Sequence, residues 1–455
     1  MFRLAFRNPR FVAAAVVALG GLAIYAVNFP GSMEYDSFVQ LVEARAKSYA
    51  NWHPAVMSWL IGISDALPGP VAAWLVGFDM LLAFGALAAL LWLPKKASWA
   101  AAPVAAAMLM LPQLSLNQAV VWKDVLFADA AVAAYVCLAF AAAKWERQTL
   151  RNGLIAAAAG LLALAVLTRQ NGVMVVPGAV AALVMTGARY AGWRTALIKG
   201  AGLLGLTALI ALGADSLLQL RADDYPGRQE QIKRLQVYDL AGILHRRPDA
   251  PLTVLERARP TLANLLRAEA KTLWSPVKND TLETDAMVAE IEATPAPLLT
   301  RQWAALIARH PGQYAAERLI LFRWLVQPPD AGLCQPFHVG DEGDPADLKA
   351  LGMAVRMTPR DEALADYGFF FLRHTPVFRH GLFGLAGLVV MFILLRRRAA
   401  ADIVLASLIG SAFLFAATFL VLSLACDYRY LTLIDLSALA GVLYLAADWR
   451  RLLRR

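Results

Sequence analysis

Residues 55–96 read AVMSWLIGISDALPGPVAAWLVGFDMLLAFGALAALLWLPKK, and the number of times this stretch crosses a membrane decides the topology of everything after it. A helix needs about 20 apolar residues to cross the hydrocarbon core. Val71 to Leu93 is long enough, whereas Ala55 to Leu67 is not, and Leu67-Pro68-Gly69-Pro70 separates the two. If both pieces crossed, Lys95 and Lys96 would face the side opposite to every later basic cluster. A single crossing keeps them with the others, as the bias of Lys and Arg toward cytoplasmic loops requires. Ala55 to Leu67 is therefore read as a juxtamembrane or re-entrant helix packed in protein.

The whole chain agrees with that parity. It has 455 residues, 59% hydrophobic and 17% charged, with mean hydropathy +0.53. Such poverty in charge defines an all-α polytopic membrane protein. The net charge of +9 falls in short clusters between apolar spans, with no basic, aromatic-interleaved patch, so no nucleic-acid partner is expected. The N-terminus, MFRLAFRNPR, has no clear cleavage site and reads as the start of an uncleaved first helix, with Arg3, Arg7 and Arg10 in the cytoplasm. The first span runs from Phe11 to Asn28. After the Val71–Leu93 span come Ala97–Leu111, Val125–Ala143, Gly153–Leu167, Val173–Thr186, Gly200–Leu218, Gly381–Leu395, Ile403–Ala425 and Leu431–Ala447. That makes about ten transmembrane helices with both termini inside.

Three regions follow: an N-terminal transmembrane module (1–218) with a first outer loop (29–70), an outer insert (219–378) and a C-terminal transmembrane module (379–455). The insert carries the helix breakers Pro226, Pro248, Pro251, Pro260, Pro328-Pro329 and Pro336. Its best helical pattern is Leu299 to Val326, interrupted at His310-Pro311-Gly312, so a small, mainly helical cap is expected. Asp341-Glu342-Gly343-Asp344 lacks the spacing of a Ca²⁺ loop and reads as a solvated turn. Cys137, Cys334 and Cys426 have no metal-ligand spacing. Cys334 and Cys426 both fall outside, where oxidation is possible. Sequence supplies no distance between them, so two unpaired thiols are the default expectation.

The first outer loop begins SMEYDSFVQLVEARAKSYANWHP (Ser32 to Pro54). On a helix, Asp36, Gln40, Glu43 and Lys47 form a polar stripe and Tyr35, Val39, Val42, Ala46 and Tyr49 an apolar one. Such a helix lies along a bilayer surface. Four further polar clusters reach the same side: His53, Trp122-Lys123-Asp124, Thr168-Arg169-Gln170-Asn171 and Asp427-Tyr428-Arg429-Tyr430. Any one of them has a bland reading, with tyrosines in an interfacial belt and Arg169 snorkelling to headgroups. Together, against basic anchors alone on the other side, they imply a polar cavity opening outward. Lys123, Arg169 and Arg429 suit a phosphate, and Glu34, Asp36 and Asp124 suit base or metal work.

This arrangement resembles the GT-C glycosyltransferases, which include protein O-mannosyltransferases and lipid A aminoarabinose transferases. The resemblance rests on the acidic motif in the first outer loop, the loop ending in His53-Pro54, Arg169 after a middle span, the large insert, and Arg429-Tyr430 before a late span. The Trp303–Leu325 segment, with His310-Pro311 and Tyr314, also looks like inserts in bacterial members. It implies a GT-C-like fold in a bacterial cytoplasmic (inner) membrane, with the active site facing outward. It implies inverting transfer of a sugar from a polyprenyl-phosphate donor to a glycan, lipid or protein acceptor. Asp36 or Glu34 would be the base, with His53, Lys123, Asp124, Arg169, Gln170, Asn171, Tyr428, Arg429 and Tyr430 around the substrate. Glu34-Tyr35-Asp36 replaces the adjacent acids of many members. That leaves open which carboxylate is the base, and whether Glu34 and Asp36 hold a divalent cation such as Mg or Mn. The other readings are a polysaccharide polymerase or ligase, and a transporter or flippase of lipid-linked saccharides. A transporter would need polar groups at mid-membrane depth, where Asp79 and Asp129 are the main candidates.

Overall fold

The structure, a computed structural model, describes residues 8–50, 52–222 and 227–449, the side chain of Arg228 aside. Arg3, Arg7 and the basic tail from Arg450 onward lie outside the described residues. Among the described residues the chain is helical throughout, with isolated bridges and no sheet. The membrane part begins with α1 (Pro9–Asn28), α2 (Tyr35–Ala46), α3 (Ala55–Ala66), α4 (Val71–Leu90), α5 (Ala101–Leu109), α6 (Lys123–Ala143), α7 (Gln148–Thr168) and α8 (Val175–Gln219). The insert follows with α9 (Gly227–Arg246), α10 (Pro260–Leu273), α11 (Ala296–Arg309), α12 (Pro311–Val326), α13 (Pro359–His374) and shorter helices between them. The chain returns to the membrane in α14 (His380–Arg397), α15 (Ala400–Ala417) and α16 (Thr432–Ala447).

Among the described residues eight helices are long and apolar enough to cross a membrane, so this is a polytopic membrane protein. One of them, α8 with the turn before it, is two crossings. Its backbone breaks at Gly192, where φ is 76°, a conformation that only glycine adopts without strain. The halves then pack back on each other, with Gly200 against Val184. The short α5 begins beside the end of α16, where Ser98 N donates to Ala447 O at 2.8 Å. Its continuation reaches the far end of α1, where Asn28 Nδ2 donates to Ser115 O at 3.0 Å. Residues 98–115 thus cover the same depth as their neighbours with a broken helix.

Parity comes out as expected. Arg10 Nη2 donates to Lys95 O at 3.3 Å, which places Lys95 at the same end as the start of α1. Arg189 donates to Arg398 O, and Arg397 pairs with Asp402 and Asp448, at this same basic end. Helix α3, 12 residues long, does not cross. Helix α6 and the 428–447 stretch are each 89% buried, against 22% for α1. Alanine along α6 lets its neighbours approach closely. These two helices form the centre of the bundle, and both begin at the end that carries the insert.

Helix α2 buries Ser37, Phe38, Gln40, Leu41, Glu43 and Ala44 in the protein and leaves Tyr35 and Val39 of its apolar stripe exposed. On the buried side Ser58 Oγ donates to Glu43 Oε2 at 2.5 Å. One expectation needs correction: Asp341 is no solvated turn, because its carboxylate accepts from Met33 N at 3.0 Å and from Arg356 Nε at 2.8 Å. In the insert, α11 and α12 divide at His310, where Pro311 starts the second helix. Residues 237–321 build a separate apolar core around Tyr238, Leu262, Leu266 and Met287.

Candidate active site

The site is assembled by an extended stretch just after α1. Ser32 N donates to Ala119 O and Val121 N to Ser32 O, both at 2.9 Å, so residues 32–33 are stitched to the segment that starts α6. On the other side Glu342 N donates to Met33 O at 3.0 Å. Glu34 then caps α2 with extended backbone, and Asp36 stands in its first turn. Lys123 is the first residue of α6, and Arg429 lies in the turn before α16.

Arg429 is the hub. It is buried and pairs with Glu34; its Nη2 lies 3.0 Å from Asp36 Oδ2 and 3.4 Å from Asp427 Oδ2, and its Nε 3.9 Å from Asp124 Oδ2. Lys123 Nζ is 3.5 Å from Asp36 Oδ2 and 3.1 Å from His53 Nδ1. Arg169 pairs with Asp124, and its guanidinium stands over the Tyr430 ring at 5.2 Å and the Phe419 ring at 5.5 Å. Seven of the residues read from sequence, Glu34, Asp36, His53, Lys123, Asp124, Arg169 and Arg429, thus converge, with Tyr430 as a wall.

Gln170 and Asn171 sit at the edge, paired with Gln231 at 2.8 Å and Thr418 at 2.8 Å. Tyr428 turns away. Its hydroxyl donates to Asp435 Oδ2 at 2.6 Å and accepts from Gln113 Nε2 at 2.7 Å, and its ring stacks on His380. Residues 428–431 form a 3-10 turn, in which successive side chains diverge by about 120°. Asp79 and Asp129 are buried on α4 and α6, away from the cluster; Gln118 Nε2 donates to Asp129 at 3.1 Å.

The four carboxylates differ in access. The side chain of Asp36 is 29% exposed and that of Asp427 20%, against 5% for Glu34 and 1% for Asp124. Burial alone would raise the Asp36 pKa, but Arg429 and Lys123 more than reverse this and hold it well below the usual carboxylate range. Burial, and then Lys123, push His53 down to about 3, so its ring is neutral at pH 7. Nδ1 then accepts from the Lys123 ammonium, and the proton sits on Nε2. Burial lifts Asp427 above its ordinary value despite Arg429.

Glu34 and Asp36 do not make a metal site as they stand. Glu34 is engaged by Arg429 and by Gln335 Nε2 at 2.8 Å, and Asp36 by Arg429 and Lys123. Among the described residues no group of three or more His, Cys, Asp and Glu is placed to hold an ion. A divalent cation there would have to displace two resident cations.

The sequence left one feature open and hid another. Cys334 and Cys426, whose shared outer placement permits pairing, form a disulfide instead of the default free thiols. Gln335, next to Cys334, reaches Glu34 across 301 residues of chain. Only its adjacency to a cysteine marked it.

Beside His53 lies a cavity of about 320 Å³, lined by apolar residues such as Val56, Leu167 and Leu212 and by Gln170, Asp215 and Gln219. It opens between α3, α7 and the second half of α8.

No protein-family model matches the chain, and no curated protein matches it. Among solved structures it is similar to the oligosaccharyltransferase AglB of Archaeoglobus fulgidus, in complex with an inhibitory peptide and a dolichol-phosphate. Identity is 15% and the TM-score 0.42, over 97% of this chain and 50% of that one. It is also similar to ArnT from Cupriavidus metallidurans in the apo state, at 14% identity and TM-score 0.38, over 95% of this chain and 77% of that one. The chain spans about half the length of the archaeal enzyme. Likeness this loose says nothing of the reaction, which the chain's own residues must carry.

Proposed function

We propose that this protein is a membrane glycosyltransferase that moves a sugar from a polyprenyl-phosphate donor to an acceptor hydroxyl outside the cytoplasm. One observation carries the reading: the most exposed carboxylate of the buried cluster, Asp36, faces Lys123 and Arg429 at the mouths of the two central helices. A cation at a helix N-terminus works against the helix dipole. Two such cations on two central helices concentrate positive potential where a phosphate would be welcome. A disulfide at this end suits an oxidising compartment, and the basic loops lie at the other end.

The chemistry follows from competition for those cations. A donor phosphate binding at Arg429 and Lys123 draws them from Asp36. The freed carboxylate regains basicity and takes the proton of the acceptor hydroxyl as it attacks the anomeric carbon. The bond from that carbon to the phosphate oxygen breaks, and the electron pair leaves with the lipid phosphate, whose growing charge Arg429 and Lys123 stabilise. Glu34 is sealed beneath Arg429 and acts as its counter-ion, which favours Asp36 as the base. Arg169 acts from behind Asp124. The start of the isoprenoid chain would enter along Val56, Leu167 and Leu212 of the cavity beside His53.

The test is mass spectrometry of envelope glycans and glycolipids from a deletion strain complemented with wild type or Asp36→Asn. Wild type should restore a sugar-bearing species, and Asp36→Asn should not, at equal membrane abundance. Near-normal restoration by Asp36→Asn would overturn the assignment.

A further inference from the structure

We infer that the Cys334–Cys426 disulfide and Gln335 position Arg429 for a lipid phosphate, so that phosphate binding at this site depends on oxidation of the bridge. This rests on the proposed phosphate site.

The argument is a closed ring of links. Cys334 is bonded to Cys426, and three residues further on stands Arg429. Arg429 pairs with one carboxylate oxygen of Glu34, Oε1. The other oxygen, Oε2, accepts from Gln335 Nε2 at 2.8 Å, and Gln335 follows Cys334 in the chain. Every group in this ring is held by the next. Gln335 has left-handed backbone, φ 43°, which a β-carbon tolerates poorly unless its surroundings hold it. The bridge and the bond to Glu34 do so here.

The 423–427 segment is anchored from the insert as well. Arg318 Nη1 donates to Ser423 O at 2.7 Å, and Cys426 N donates to Val277 O at 2.9 Å. Three attachments from the insert therefore fix the approach to Arg429: Arg318, Val277 and Cys334. Reduction removes the one covalent link. The bridge becomes two thiols while the reductant is oxidised to its own disulfide, and the Glu34–Gln335 contact loses its anchor. The Lys123–Asp36 contact, on another element, is untouched.

A guanidinium that must find its place on binding gives a weaker complex than one already held. Loss of a hydrogen bond to a charged group is worth on the order of tenfold or more in binding. The experiment titrates the full-length protein in detergent with polyprenyl phosphate lacking sugar, read by intrinsic tryptophan fluorescence. Five samples are compared: wild type and Gln335→Ala, each with and without dithiothreitol, and Cys334→Ser/Cys426→Ser. Reduced wild type, Gln335→Ala and the double serine variant should bind about tenfold more weakly than oxidised wild type, and dithiothreitol should weaken Gln335→Ala little further. Gln335→Ala keeps the bridge, so it serves if the double variant fails to fold. Equal affinity in oxidised wild type, reduced wild type and Gln335→Ala would overturn the inference. Absence of binding by oxidised wild type would instead overturn the phosphate site itself. A purely structural bridge would lower the melting temperature on reduction and leave the affinity of the folded protein unchanged.

Discussion

Tyr428 and Arg429 are neighbours in the chain and belong to two different polar clusters. On one side of the turn, Tyr428, His380, Asp435 and Gln113 form a knot. His380 Nδ1 meets Asp435 Oδ1 at 2.8 Å and its Nε2 meets Tyr428 O at 2.8 Å, so both ring nitrogens are engaged. Both oxygens of Asp435 are bonded as well. His380 and Asp435 are 1% exposed in their side chains. On the other side, Arg429 joins carboxylates that reach the surface through Asp36. The Tyr428 hydroxyl, the His380 ring and the Asp435 carboxylate are thus engaged within the protein, out of reach of a substrate. The Arg429 cluster keeps a carboxylate and an ammonium, Asp36 and Lys123, within reach of one. Polarity at membrane depth does not distinguish a site from a joint; access does.

The sharpest way to break the comparison is to remove one carboxylate from each cluster. Asp36→Asn should lower transfer by about 10²–10⁴-fold, the range of a general base, with little change in melting temperature. Asp435→Asn should do the reverse. Breaking one partner of a buried pair costs about 3–5 kcal/mol, so the protein should be lost from the membrane or melt early, and what remains folded should keep its turnover. The readouts are turnover per folded protein and thermal melting in detergent. If Asp435→Asn lost turnover at normal stability, the knot would belong to the site.

A smaller effect sharpens which cation holds the phosphate. Arg429→Lys keeps the charge but loses the planar fork. Transfer at limiting donor should fall by about one to two decades, given contacts on the order of 1.5–3 kcal/mol. Arg169→Lys should fall less, because Arg169 spends its charge on Asp124 and the rings of Phe419 and Tyr430. Equal losses in kinetics against polyprenyl-phosphate-sugar concentration would put both arginines on the phosphate.

Much of this arrangement was legible before any coordinates. Pro68-Gly69-Pro70 and the two lysines at 95–96 settle the parity, because length and charge at membrane ends are local properties. The break at His310 was legible for the same reason. Partners across distance were not. Glu34 meets Gln335 and Arg429 only because residues 32–33 bridge 119–121 and 340–342, and no periodicity records that. The direction of Tyr428 is hidden because residues 428–431 form a single 3-10 turn, too short for a periodic pattern to show in the sequence.

The smallest effect tests whether the insert, too, holds a joint rather than a second site. Asp239 pairs with Arg318 and accepts from Trp303 Nε1 at 2.7 Å, a closed set like the knot. Burial, opposed by Arg318, leaves Asp239 at about 6. Its neighbour Glu317 is 0% exposed, and burial, with Asp239 adding to it, raises the carboxyl well above its ordinary 4.5. A carboxyl whose pKa is higher folded than unfolded stabilises the fold below its unfolded value. That contribution is lost as pH rises through the folded one. Glu317→Gln removes the titration while keeping the shape. At pH 4 the variant and wild type should melt together. Above pH 4.5 the variant should melt progressively later, by a few degrees at the plateau, since such substitutions commonly give about 0.5–2 kcal/mol. Transfer should be unchanged, because Glu317 touches no group of the cluster. A variant that melts earlier than wild type at pH 8 would mean that Glu317 is ionised and paired, and the insert would then hold a charge network of its own.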